Sequence, residues 1–288
     1  MNKQELIKKM RRFSADIRIE TVKEIGEAGF GHIGGSASIA DVLAVLYGGV
    51  MRIDPSNPNW EDRDWFVLSK GHSAPALYAA LALKGYFPIE ELKTLNKNGT
   101  NLPSHADRLK VRGVDMSTGS LGQGISAAVG IALANRMQGR DSYTYCIVGD
   151  GELNEGQVWE ACSLASHQKL DHFFCFVDWN KKQIDGRVEQ VNDPIDIESK
   201  FHAFGFDAVT VKGYDVEEIY DAIQRGKTVK GKPHCIVLDT IKGLGIFFAE
   251  EQEFNHYLNY GPEQAQKAVE EIERRYSAGT YPGGDFKW

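Results

Sequence analysis

Gly149-Asp150-Gly151, separated by 28 residues from Asn180, carries the residue types that can hold a metal-chelated diphosphate. The apolar run Tyr143 to Val148 leads straight into the triplet and reads as a buried parallel strand. Asp150 then stands at that strand's carboxyl end, and the two glycines let backbone approach an anion closely. Glu155 to Gln168 reads as a helix starting beside the same point, where free N–H groups favour negative charge. A second apolar run, His172 to Trp179, ends on Asn180. Two neighbouring strands would thus present one carboxylate and one amide oxygen to one crevice, hard ligands of the kind Mg2+ or Ca2+ prefers. Asp and Gly are also common turn formers, so the triplet takes its meaning from the strands on either side.

Four histidines lie in loops flanked by Gly, Ser or Pro: Gly31-His32-Ile33-Gly34-Gly35, Lys70-Gly71-His72-Ser73, Leu102-Pro103-Ser104-His105 and, near the end of the chain, Phe254-Asn255-His256. Imidazole is the side chain best suited to proton transfer near neutral pH. A lone loop histidine is more often a solvated surface residue, but four such loops near one anion site point to chemistry. Ser117 to Gly124 adds a glycine-rich helix start, a second possible anion contact.

The elements that must position these residues alternate between helical and strand patterns, which builds an α/β fold: a doubly wound, mostly parallel sheet with helices on both faces. Helices are expected at Lys3–Ala28, Ser38–Gly48, Ala74–Lys84, Ile89–Lys97, Gly122–Gln138, Glu155–Gln168, Asp196–Phe204, Val216–Thr228 and Glu263–Ala278. Strands are expected at Trp65–Leu68, Tyr143–Val148, His172–Val177, Ala208–Val211 and His234–Asp239. Open sheets of this type bind ligands at the carboxyl ends of their strands, where Asp150 and Asn180 fall. Residues 1–241 read as the ligand-binding domain, and 242–288 as a C-terminal extension acting as a lid or docking arm.

With 42% hydrophobic and 25% charged residues, the 288-residue chain has the material for a large core. A formal net charge of -7 and the lack of a Lys/Arg stripe argue against nucleic acid as partner. Met1 to Phe13 is too charged for a signal peptide, and Met116 to Asn135 carries too many Gly, Ser and Gln to span a membrane, so a cytoplasmic location is expected. Cys146, Cys162, Cys175 and Cys235 form no CxxC pair and read as small core residues. No Walker-type or GxGxxG run follows a strand, which disfavours a plain nucleotide-binding domain.

From about Phe13 to Gly245 the sequence resembles the amino-terminal, thiamine-diphosphate-binding domain of transketolases. The matching pieces come in the family's order: Gly31-His32-x-Gly34-Gly35, Asp54-Pro55-x-Asn57-Pro58, Arg63-Asp64-x-Phe66-Val67-Leu68-Ser69-x-Gly71-His72, Thr118-Gly119-x-Leu121-Gly122-Gln123-Gly124, Gly149-Asp150-Gly151-Glu152-Leu153-x-Glu155-Gly156 and Asn180 to Gly186. The resemblance implies a diphosphate-binding domain of the thiamine-diphosphate fold and transfer of a two-carbon ketol unit from a ketose to an aldose. It implies Mg2+, with Ca2+ or Mn2+ able to substitute, held by Asp150, Asn180 and the backbone carbonyl of Lys182. His72, Gly119, Ser120, Leu121, Gly151, Glu152, Asn180 and Ile184 are implied as cofactor contacts, Ile184 packing on the thiazolium face. His32, His105, His72 and His256 are similar to the histidines that bind sugar hydroxyls and move protons, and Glu155 to a glutamate that links two cofactor sites across a dimer interface. Two departures stand out: Lys182 replaces a usual apolar residue, and His256 lies in Phe254-Asn255-His256-Tyr257-Leu258-Asn259 rather than the family's His-Gly-containing loop.

Transketolase-like enzymes have further domains that the sequence shown lacks, including the glutamate that activates the cofactor's aminopyrimidine. The resemblance therefore implies the amino-terminal subunit of a split transketolase, active only with a separately encoded C-terminal subunit carrying the pyrimidine-binding domain, the pair forming a heterotetramer that acts on small sugars, with neither nucleic acid nor membrane as partner. The rival expectations are a 1-deoxyxylulose-5-phosphate synthase-like enzyme and a non-catalytic cofactor-binding subunit. The Leu102–His105 loop and the Thr118–Gly124 run favour transketolase over the first, and the intact histidines argue against the second.

Overall fold

The computed structural model describes residues 1–283. Its centre is a five-stranded parallel sheet: β1 (Trp65–Leu68), β2 (Thr144–Gly149), β3 (Phe173–Trp179), β4 (Asp207–Lys212) and β5 (His234–Asp239), in the order β1-β2-β3-β5-β4. Alternation along each strand splits the sheet between two cores. Phe66, Tyr145, Ile147, Phe174, Phe176, Ile236 and Leu238 face the Lys3–Ala28, Ala74–Lys84 and Val216–Thr228 helices, whereas Val67, Cys146, Val148, Cys175, Val177, Cys235 and Val237 face the Gln123–Met137, Gly156–His167 and Ile197–Ala203 helices. The strands read as continuous apolar runs because both of their faces are covered. All four cysteines are free and buried.

The five expected strands are present: Trp65–Leu68 and His234–Asp239 have the expected bounds, and those of the other three move by one or two residues. Helix expectations fail where local chemistry competes. The Ser38–Gly48 helix is interrupted: Ile33–Ala37 and Ala40–Val45 are separate short helices, followed by a π-helical turn over Leu46–Val50 that seats Gly48 and Gly49 against Met10 and Leu6 of the first helix. The Ile89–Lys97 helix is instead a 3-10 turn, Ile89–Thr94, in which the Thr94 hydroxyl caps the Glu91 carbonyl and Asn96 turns left-handed at φ 60°. A two-residue antiparallel pairing, Phe30 with Asn259 and Gly31 with Leu258, and a small hairpin, Lys182–Gln183 with Gly186–Arg187, add to the expected elements.

The segment beginning at residue 242 is built into the molecule up to Gly283 rather than standing free. Leu244 is buried, Ile246, Phe248, Ala249, Tyr260, Ala265, Ala268 and Ile272 join the core, and the Pro262–Ser277 helix packs on the Lys3–Ala28 helix. Residues 284–288 of the expected tail lie outside the described residues. Among the described residues, the stretch long and apolar enough to cross a membrane is Ile33–Val50, and 89% of it is buried inside the fold.

Candidate functional site

The carboxyl ends of β2 and β3 converge on a corner rich in buried charge. Asp150 follows β2 and caps a 3-10 turn, Gly151–Asn154; the expected helix begins one turn later, at Gly156, with Glu155 as its N-cap residue. The Asp150 carboxylate accepts from the backbone N–H of Gly151 at 2.8 Å and of Lys181 at 2.6 Å, which ties it to the residue after Asn180. Asn180 donates its amide nitrogen to Asp178 Oδ2 at 2.7 Å, so its Oδ1 is the atom it can offer a cation. Asp178 Oδ2 also accepts from Ser38 at 2.7 Å and from the Lys70 ammonium at 2.5 Å, while its Oδ1 is buried with no partner. Lys242, from the loop after β5, donates to the Lys182 carbonyl at 2.8 Å and to His256 Nδ1 at 3.1 Å.

That donor set fits a hard divalent ion and an anion beside it. Burial, and then repulsion from Asp178, push the Asp150 carboxyl up to about 7. Burial pulls the Lys242 ammonium down to about 8, with Asp150 opposing. A corner with one strained carboxylate, one orphaned carboxylate oxygen and a carbonyl borrowing a lysine's charge is short of positive charge. The candidate ligands are one carboxylate, one amide oxygen and one carbonyl, hard oxygen donors of the kind a divalent ion such as Mg2+ takes. Lys70 and Lys242 are the ammonium groups beside those donors, bonded to Asp178 and to the Lys182 carbonyl. Neither was among the residues singled out in the sequence, although Lys70 sits in the Ser69-Lys70-Gly71-His72 motif itself.

Glu152 is turned inward. Its carboxylate accepts from the Ser69 hydroxyl and from the backbone N–H of Gly122 at 2.8 Å and of Gly149 at 3.0 Å. With both oxygens engaged by the protein, it ties the Ser69 hydroxyl to the Gly122 and Gly149 backbones, so the cofactor contact that the resemblance implied for it meets a carboxylate already in use. The Gly119–Leu121 loop is held over the site by close packing: a Cβ on Gly119 would meet the His105 ring at 2.9 Å, at a φ of 150° that other residues rarely adopt. Ser120 is exposed and Leu121 partly so, both without a protein surface over them. Ile184, at the tip of the Lys182–Arg187 hairpin, is 66% exposed, so it is not a core isoleucine.

The four loop histidines form one cluster. His32 lies 5.5 Å from His72, 5.5 Å from His105 and 5.2 Å from His256, ring centre to ring centre, and His72 lies 4.8 Å from His256. Gly34 makes this possible, since a Cβ there would strike the Asn255 carbonyl oxygen at 2.2 Å. Tyr78 steadies the His105 loop by donating its hydroxyl to the Pro103 and His105 carbonyls at 2.9 and 3.0 Å. Burial, joined by nearby cations and the other rings, lowers His32 to about 4 and His256 to about 3 and lowers His72 as well, and burial alone lowers His105. All four are therefore neutral near pH 7, able to accept a proton. Because Lys242 donates to His256 Nδ1, that ring keeps its proton on Nε2.

The same burial predicts an acid-sensitive fold. Between the ordinary imidazole value of 6.5 and about 4, the unfolded chain binds a proton at His32 that the folded chain refuses, so stability should fall as pH drops through that window. His256 extends the loss to about 3. Melting temperatures recorded across this range should decline with acidification; a flat profile would contradict the burial of the cluster.

A parallel α/β sheet whose strand ends hold a cation-and-anion corner beside a ring of neutral imidazoles defines a cofactor-dependent enzyme domain of the thiamine-diphosphate fold. The chain belongs to the transketolase family: residues 9–277 match the model described as transketolase, thiamine diphosphate binding domain. Over 258 residues it is 52% identical to a 6-deoxy-6-sulfo-D-fructose transketolase subunit from Clostridium sp. (strain MSTE9), covering 90% of this chain and 94% of that one. It is 36% identical to an apulose-4-phosphate transketolase subunit from Phocaeicola vulgatus, covering 90% and 92%. The transketolase structure from Leishmania mexicana superimposes with a TM-score of 0.86 at 32% identity, over 97% of this chain and 42% of that one. The chain thus spans most of the subunit-sized relatives and less than half of that full-length enzyme.

Proposed function

We propose that this chain is the amino-terminal subunit of a two-chain transketolase, moving a ketol unit from an anionic ketose to an aldose acceptor once a pyrimidine-domain subunit has docked. The single observation that carries the reading is the convergence of Asp150, Asn180 and Lys182 with four neutral histidines at the carboxyl end of the sheet, Lys242 bridging the two groups. In it, Asp150, Asn180 and the Lys182 carbonyl hold Mg2+, with Lys242, Lys70, His72, Gly151 and the Gly119–Leu121 backbone around the diphosphate. When bound, thiamine diphosphate supplies the electron sink for breaking the carbon-carbon bond. His32 and His105, neutral and near one another, bind the ketose hydroxyls and take up the proton released from the hydroxyl at the broken bond. His256, oriented by Lys242, serves the ketol end.

The exposed Ile184 supports a second chain covering this side, as does the agreement in length with relatives named as subunits. A heterotetramer in the cytoplasm is the proposed assembly and location. Because the first of those relatives is named for 6-deoxy-6-sulfo-D-fructose, that sugar heads the donors to be tried, followed by sugar phosphates. The test is reconstitution with the candidate partner: ketol transfer that appears only when both chains, Mg2+ and thiamine diphosphate are present is the expected result. Robust transfer by this chain alone, or none by the pair from any anionic ketose, would overturn it.

A further inference from the structure

The cation corner and the four imidazoles leave one side chain at the site unexplained. Tyr257 follows His256 directly, and the pairing of Gly31 with Leu258 sets it beside His32. Its ring meets that of His32 edge-on, at 83° and 5.1 Å between centres, and stacks on Phe30 at 27° and 6.0 Å. Tyr257 and Phe30 are nonetheless 44% and 40% exposed, so they form an aromatic rim open to whatever approaches His32. Among the described residues no protein group hydrogen-bonds the Tyr257 hydroxyl. A tyrosine held by its ring with its polar tip free is suited to contacts with a ligand that has both C–H faces and hydroxyls, as a sugar does.

We infer that Tyr257 is a specificity-determining residue that receives the part of the donor ketose beyond the bond that breaks, its ring walling one side of His32 and its hydroxyl meeting the sugar's distal hydroxyls. The inference rests on the ketol-transfer reading above. If His32 attends the hydroxyl next to the broken bond, the group packed on its outer side is placed to sense the carbons that follow. A donor that ends at the third carbon does not extend to this rim; a six-carbon donor does. Tyr257 makes no contact with Asp150, Asn180, Lys70 or Lys242 in the bonding described above, so cofactor binding should not depend on it.

The experiment uses the reconstituted two-chain enzyme with two donors: hydroxypyruvate, which has no carbon chain beyond its ketol unit and carboxylate, and a six-carbon anionic ketose, either the 6-sulfo sugar or fructose 6-phosphate. Tyr257→Ala should lower kcat/KM for the six-carbon donor about 10- to 100-fold, the range by which a pocket contact discriminates. Tyr257→Phe, which keeps the ring contact with His32, should lose about 2- to 10-fold, the worth of one hydrogen bond. Both variants should hold thiamine diphosphate affinity and hydroxypyruvate turnover close to the parent's. Equal losses with the two donors, or no change with either, would overturn the role of Tyr257 while leaving the function intact. If the parent pair transfers from neither donor, the functional reading fails and this one with it.

Discussion

Asp150→Asn should abolish magnesium-dependent thiamine diphosphate binding without unfolding the protein. The substitution keeps the side chain's shape and an oxygen for the Gly151 N–H, but turns an NH2 toward the Lys181 N–H and removes the carboxylate on which a divalent ion would depend. Changes one shell away from a metal commonly weaken binding 10- to 100-fold, so loss of a direct ligand should exceed about 100-fold. Stability should fall by no more than about 1–3 kcal/mol, the cost of the lost Lys181 hydrogen bond, since burial and Asp178 already hold the Asp150 carboxyl at about 7, where its charge is costly. Titration of cofactor at fixed Mg2+, alongside thermal melts of the free protein, separates the two effects. Unchanged affinity would sink the metal assignment, and collapse of the melt would make Asp150 a structural residue.

The second large effect is on the fold. Arg18 is 0% exposed, and its guanidinium donates to Asp41 at 2.6 Å, to Ser14 at 2.7 Å, to the Leu244 carbonyl at 2.8 Å and to the Tyr281 hydroxyl. Gly245 touches it so closely that a Cβ there would lie 2.7 Å from Arg18 Cδ. Arg18→Met leaves Asp41 charged and buried without its partner, which should cost about 3–5 kcal/mol. Adding Asp41→Leu removes the stranded charge and should restore a large part of that loss. Denaturant unfolding of the two single variants and the double decides it: if the double variant is as unstable as the two single losses summed, the pair is not coupled.

The sequence made the parallel sheet legible because strands buried on both faces are nearly unbroken apolar runs; β1 and β5 were bounded correctly for that reason. It made the Asp150 and Asn180 corner legible because each closes such a run. The resemblance drew the histidines together, since nothing in the spacing of residues 32, 72, 105 and 256 implies that they meet. What stayed hidden were groups whose meaning lies in burial. Lys70, Asp178 and Lys242 look like ordinary strand-end polar residues, yet they form a buried charge network, two of them paired at 2.5 Å. A charge within a run such as Phe173 to Trp179 was the available signal, because a buried Asp is rarely tolerated unless paired. Glu152 misled for the opposite reason: it lies inside the motif, but its carboxylate serves the backbone around it. The helix expectations failed where Thr94 and the Gly48-Gly49 pair offered the chain local alternatives that periodicity cannot register.

The meeting of His32 with His256 joins residues 224 positions apart, 256 minus 32, through a bridge only two residues wide. Such a closure is entropically slow and comes after the sheet that supports it. During synthesis, then, the four imidazoles can meet only when translation has passed residue 256, and the helix that covers the first helix is made later still, so a nascent chain would have its parallel sheet before either. Any fragment stopping short of that point would lack both the cluster and the core residues from Tyr260 to Ile272 that cover the first helix.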